Sequence, residues 1–205
     1  MDPLILQKMQ QALKALITEK VISLDEYTNS DAVALSFLAP SGDFVAELTS
    51  IPTINCYLIG MSEDKDRRKS ESHRSTINTQ KTIRTVHREP KFIDLSYMLT
   101  VWCKDKEGSA EIEHLILGYL LCGLGMYDFM PADIQQRFDI NISPYGVAFK
   151  LFGNEQSDKI SGQIWQAMGS TPKPCLMLSL SVPVDVHEPL HLPLVQEIKR
   201  TLDTH

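Results

Sequence analysis

Five residues near the end of the sequence, His187, Glu188, Pro189, Leu190 and His191, spell H-E-x-x-H. On a continuous helix that spacing sets two imidazoles on one face, where they hold zinc while the glutamate activates a water. Here Pro189 separates the histidines and Pro193 follows them, and proline disrupts the helical turn that the chemistry needs. The expected reading is a linker. His114 sits beside Glu113 and near Glu111, but a single histidine on a helix is expected to serve packing or the surface. The patterns G-x-x-x-x-G-K-S/T, G-x-G-x-x-G and G-x-S-x-G do not occur, so the common phosphate cradles and nucleophile elbows are missing. No catalytic residue, cofactor or metal is therefore assigned. A metal-dependent hydrolase at Glu113 and His114, or at His187 to His191, is the weaker alternative. Cys56, Cys103, Cys122 and Cys175 lie far apart in apolar stretches and are expected to be buried free thiols. Trp102 and Trp165 have no interleaved basic residues, which favours core or interface anchors over base-stacking platforms.

Charge gives the most informative surface feature. Residues 62–91 carry nine Lys or Arg against five acids, a formal +4 on a chain whose net charge is -6, leaving -10 elsewhere. The segment has no Gly or Pro before Pro90 and is rich in Ser, Thr and Asn, as a mobile loop or an extended hairpin would be. Arg67, Arg68, Arg74, Lys81, Arg84 and Arg88 form the candidate assembly interface, suited to an acidic partner such as another copy of the chain. The overall acidity repels phosphate backbones, so no nucleic-acid partner is expected. A nucleic-acid-binding module acting through residues 62–91 is kept as the alternative.

The elements that must carry this segment are legible as periodicity. Asp2 and Pro3 open a helix with Leu6, Met9, Leu13, Leu16 and Ile17 on one face. Residues 32–38 form an apolar run ended by Pro40, Ser41 and Gly42, and residues 53–61 follow Pro52 with strong β-formers. From Phe92 to Cys103, Ile93, Leu95, Tyr97, Leu99, Val101 and Cys103 alternate with Asp94, Ser96 and Thr100, a strand with one polar face. Ser109, Glu111 and Glu113 open a helix that Gly123 and Gly125 are expected to close. Ile112, Leu115, Ile116, Tyr119 and Leu120 read as its core face. Leu117 and Leu121 make the other side apolar too, so the helix is either central or shared with a neighbouring subunit. Further on come a strand broken by Pro144 and Gly146 (140–152), a helix capped by Ser157 or Asp158, a strand at 175–184, and a short helix at 194–202. With 43% apolar and 22% charged residues, the chain reads as one α+β domain, a mixed, mostly antiparallel sheet packed by helices. The domain is placed at 1–185 with the basic segment 62–91 inside it, and residues 186–205 are read as linker and short helix. Neither a signal peptide nor an apolar run of about 20 residues is present, so no direct membrane span and a cytoplasmic origin are expected.

Four stretches carry a resemblance. They are Ile51-Pro-Thr-Ile-Asn-Cys-Tyr-Leu-Ile with Asp64 to Lys69 behind it, Ile93-Asp-Leu-Ser-Tyr-Met-Leu-Thr-Val-Trp, Glu113-His-Leu-Ile-Leu-Gly-Tyr-Leu, and Ile164-Trp-Gln-Ala-Met-Gly with the Pro174 to Val184 strand. Together they resemble the tail-terminator or cap proteins of extracellular contractile injection systems, relatives of phage tail terminators, over most of residues 4–185. The resemblance implies a homo-oligomer, a six-membered ring seated on the last ring of the inner tube protein and touching the sheath protein. It admits a second cap protein as a further partner. Asp94, Glu113, His114 and Trp165 become scaffold positions under it. Some relatives carry long segments beyond this domain, and a task done by such extensions, attachment or anchoring, is not expected here.

Overall fold

A computed structural model describes residues 2–22, 33–67, 73–80, 82–104, 108–140, 145–152, 165–167, 172–186, 188 and 190–194. In chain order it contains helix α1 (Ile5–Leu16), strand β1 (Ala34–Ser36), short helix α2 (Gly42–Ala46) and strands β2 (Thr53–Glu63), β3 (His73–Ile77), β4 (Ile83–Arg88) and β5 (Lys91–Trp102). Helices α3 (Ser109–Gly125) and α4 (Ala132–Arg137) follow, then strands β6 (Ala148–Leu151), β7 (Cys175–Val184) and β8 (Leu190–Pro193). The main sheet has the order β1-β2-β5-β7-β6 and is antiparallel except for the β1–β2 pair. A separate antiparallel sheet has the order β3-β4-β8. The chain is thus α+β, as its periodicity predicts.

Helices α1, α3 and α4 cover one face of the main sheet. Asp2 Oδ1 accepts the Leu4 N–H at 2.9 Å, and Met9, Leu13 and Leu16 then turn inward at helical spacing. The helical path does not stop at Leu16 but widens into a π-turn, Ile17–Val21, which keeps both of its end residues buried. Ile116, Leu120 and Leu124 of α3 and Ile134 of α4 complete the layer. They pack on Ile54 and Cys56 of β2, Leu95, Tyr97, Leu99 and Val101 of β5, and Leu178, Leu180 and Val182 of β7. Register explains the set, because Cys56 pairs with Leu99 and Leu99 with Leu176 across three strands.

The opposite face departs from the expected polar surface. Met98 and Trp102 share it with Asp94, Ser96 and Thr100, and a second small core forms there from Phe44, Leu48, Met98, Trp102, Trp165 and Met177. Phe44 meets Trp102 edge-on at 5.6 Å, and Trp165 lies 6.2 Å from it. Thr100 Oγ1 accepts the Trp102 indole N–H at 2.8 Å, so the polar positions of the strand serve the aromatic ones.

Helix α3 differs from its sequence reading in two ways. Its buried face is Glu113, Ile116, Leu120, Gly123 and Leu124, whereas Ile112 and Leu115 stand in solvent. Gly123 does not close the helix, which runs on to Gly125. A Cβ at Gly123 would lie 2.6 Å from Cγ1 of Val21, so the glycine marks close approach to the π-turn. The predicted helix capped by Ser157 or Asp158 falls mostly, and the one at 194–202 almost wholly, outside the described residues.

Candidate assembly surface

The residues with catalytic potential do not converge. His191 lies on β8, a strand and not a helix, where its Nδ1 is 3.0 Å from the Thr85 hydroxyl. Glu188 is exposed, and His187 and Pro189 lie outside the described residues. The expected linker is therefore, at residues 190–193, a paired strand. Among the described residues no cluster of three or more His, Cys, Asp or Glu side chains is placed to hold a metal. Glu113 is buried, accepting the Cys103 N–H at 3.0 Å and the Lys173 ammonium, which also lies over the Trp102 ring at 4.7 Å. Cys56 is a buried thiol whose pKa burial drives up, but Cys122 is exposed, against expectation, because it lies on the outer side of α3.

The basic segment is a hairpin. Asn78 closes it, its Oδ1 accepting the N–H groups of Thr82 at 2.8 Å and Ile83 at 3.0 Å. The hairpin β3–β4 is inserted between β2 and β5, and β8 adds a third strand along β4. Its root is fastened to the main sheet. Arg67 donates from one guanidinium nitrogen to the Ser181 carbonyl at 2.9 Å and to its hydroxyl at 3.3 Å, and from the other to the Gly146 carbonyl at 3.0 Å. The same guanidinium stacks 4.2 Å above the Phe92 ring, and Phe92 meets Tyr145 edge-on. Burial lowers the Arg67 pKa, a shift that Asp64 and Asp94 oppose. Asp64 is almost fully buried. Burial alone would raise its carboxyl, but the Ser181 hydroxyl, Lys150 and the N–H groups of Asp66 and Arg67 outweigh it, and the net pKa falls. On the second leg, the Tyr145 hydroxyl donates to Glu89 at 2.6 Å.

The six predicted interface residues therefore separate. Arg67 is engaged inside its own chain. Arg84 is exposed on β4, one nitrogen donating to the Ser75 hydroxyl at 3.2 Å. Arg74 and Arg88 occupy paired backbone positions, opposite His87 and His73, while Arg68 and Lys81 lie outside the described residues.

Apolar exposure adds what charge counting missed. Register sets Ile77, Arg84 and Leu192 side by side across the small sheet, with Ser75, Val86 and Leu190 in the next row of the same face. Ile77, Leu190 and Leu192 are each about half exposed (57%, 48% and 47%). A second apolar surface is the outer side of α3, with Leu115 at 54% and Met126 at 72% exposure. The signal for the first was present in the apolar alternation of Leu190, Leu192 and Leu194, obscured by the two prolines.

The sequence model of the Pvc16 N-terminal domain matches residues 8–196. The chain belongs to this family. Among solved structures, the Pvc16-type fold recurs in the sheath/tube terminator of PVC, an extracellular contractile injection system, in its extended state. That match has a TM-score of 0.66 at 16% identity and covers 97% of this chain and 63% of that one. The tube-terminating cap of the anti-feeding prophage matches with a TM-score of 0.64 at 17% identity, over 95% of this chain and 60% of that one. At these identities the likeness is one of fold, and the chain spans about three fifths of the length of each. No curated protein matches the chain in sequence. Among the described residues, no helix is long and apolar enough to cross a membrane.

Proposed function

We propose that this chain is a terminator subunit, a structural part that caps the inner tube of a contractile injection system and contacts the sheath. The observation that carries the reading is membership of the Pvc16 N-terminal domain family across residues 8–196, with a fold shared by two proteins described as tube terminators. The surface agrees with it in kind, because two exposed apolar faces and a basic hairpin on an acidic chain are features of a subunit built to be covered by neighbours. The role is assembly and not catalysis. Copies form a ring, six-fold where the tube is six-fold, since a subunit of this size stops a symmetric tube by matching its rotation through repeated heterologous contacts. Its partners are other copies, the tube protein, the sheath protein and, where one is present, a second cap. The subunit is made in the cytoplasm and incorporated into the particle.

The test is tube length. Tube and sheath proteins co-expressed with this chain should give particles of uniform length in electron micrographs, whereas omitting it should give tubes without a defined end. Identical length distributions with and without the chain would refute the cap.

A further inference from the structure

The two exposed apolar faces have similar dimensions. On α3, 100° per residue places Glu111, Leu115, Gly118, Cys122 and Met126 on one stripe, directly opposite the buried Ile116, Leu120 and Leu124. From Leu115 to Met126 the stripe runs about 16 Å, at 1.5 Å per residue. The five residues of β3 span about 13 Å from first to last Cα, and three strands at about 4.8 Å spacing give a width of about 10 Å, the diameter of a helix. A Cβ at Gly118 would meet nothing, so the stripe is open at its centre and admits close approach.

Charge supplies the pairing. On the sheet face the exposed Arg84 is flanked by Ile77 and Leu192, with Val86, Leu190 and Ser75, to which it donates, in the next row, and the α3 stripe begins at the exposed Glu111. A guanidinium that such a contact would cover calls for a carboxylate, which its planar fork holds with two hydrogen bonds. Within one chain the faces do not cover each other, since both remain exposed. We infer that the outer stripe of α3 in one copy seats on the β3–β4–β8 face of the next copy, with Glu111 reaching Arg84. Because the two faces differ, the contact is heterologous and every copy both gives and receives, as a closed ring requires. It also sets a +4 segment against a neighbour whose remainder is -10, which offsets repulsion between acidic subunits. The inference rests on the ring reading above and adds the surfaces that build it.

Leu115, one turn from Glu111 on the stripe, makes the contact testable in the full-length chain. Leu115→Cys together with Leu192→Cys, in a Cys122→Ser background, should give covalent dimers and higher species on a non-reducing gel after mild oxidation, because Leu192 is paired with Arg84. Either cysteine substitution alone in that background should give no ladder. In a second arm, Arg84→Glu and Glu111→Arg should each weaken association at least about tenfold, and the two together should restore most of it. Both residues are exposed, so unchanged melting of each variant reports an intact subunit. If the protein associates only on tubes, both arms are run on tube-bound protein. Assembly without the ladder from the paired cysteine substitutions, or single charge reversals that leave association unchanged, would overturn the docking while uniform tube length kept the cap. A ladder and charge rescue with no effect on tube length would keep the docking and remove the cap.

Discussion

Gly123→Ala puts the closest contact in the core to a quantitative test. An alanine inside a helix ordinarily gains about 1 kcal/mol over glycine. Here the new methyl would lie 2.6 Å from Val21 Cγ1, 3.2 Å from its Cβ and 3.3 Å from its Cγ2. Carbon atoms rest at about 3.5–4.0 Å, so three contacts are violated together. Val21 cannot swing away, because a β-branched side chain is stiff at χ1 and this one is only 2% exposed. Overpacking of this kind costs about 1–3 kcal/mol, and the shortness of the contact sets the value near the top, leaving a net loss of about 1–2 kcal/mol. Val21→Ala alone should cost about 2 kcal/mol through two lost methyl groups and a cavity. Combined, the changes should cost at least about 1 kcal/mol less than their sum, since the new methyl fills the vacated space. Gly125→Ala is the control, because its Cβ would meet Leu151 Cδ1 at an ordinary 3.6 Å, and it should be neutral or slightly stabilising. Urea melts of the four variants measure all of this. A Gly123→Ala protein as stable as Gly125→Ala, or strict additivity with Val21→Ala, would refute the close approach of α3 to the π-turn.

Three further outcomes follow from the root of the hairpin and from the contrast between a buried and an exposed leucine. Arg67→Ala should cost about 2–4 kcal/mol in urea melts, because it leaves the Ser181 and Gly146 carbonyls without a charged donor, whereas Arg84→Ala should cost under about 0.5 kcal/mol. Leu99→Ala should cost about 2–5 kcal/mol at a fully buried site, but Leu115→Ala under about 0.5 kcal/mol at an exposed one. Asp64 has a folded pKa below its ordinary 3.8, so its contribution to stability is present above that value and fades as pH falls through the folded value. Asp64→Asn should accordingly flatten the loss of stability below about pH 4, read as urea midpoint against pH.

The long elements were legible because burial imposes a period. Residues 5–16, 53–63, 91–102, 109–125 and 175–184 appear at their predicted places since each lays one apolar face on the same core. Trp102 and Trp165 were read as core or interface anchors and are buried, but Met98 was hidden among Ser and Thr, because the second core draws on residues far apart in sequence, such as Phe44 and Trp165. The face of α3 was misassigned for a related reason: a helix apolar all round carries no moment, so periodicity cannot choose between its sides. Gly123 was read as a stop when its meaning lay in a neighbour, Val21, about a hundred positions away. The basic charge of the hairpin was visible and a hairpin was one of its two readings, but nothing chose it over a loop, since a sheet exposed on both faces has no buried side to alternate. Arg67 shows the limit of charge counting, because its task is set by two carbonyls on other strands.

The partnership of β4 with β8 also sets an order in time. Synthesis runs from the N-terminus, and β8 emerges roughly a hundred residues after the strand it completes. Until then one edge of β4 has no strand partner, and Leu190 and Leu192 are not yet present to flank Arg84. A nascent or truncated chain thus has its α3 stripe but only two thirds of the sheet that would receive one. On the docking inferred above, such a chain could be seated on a neighbour but could not seat the next, so an incomplete subunit would end a ring rather than close it.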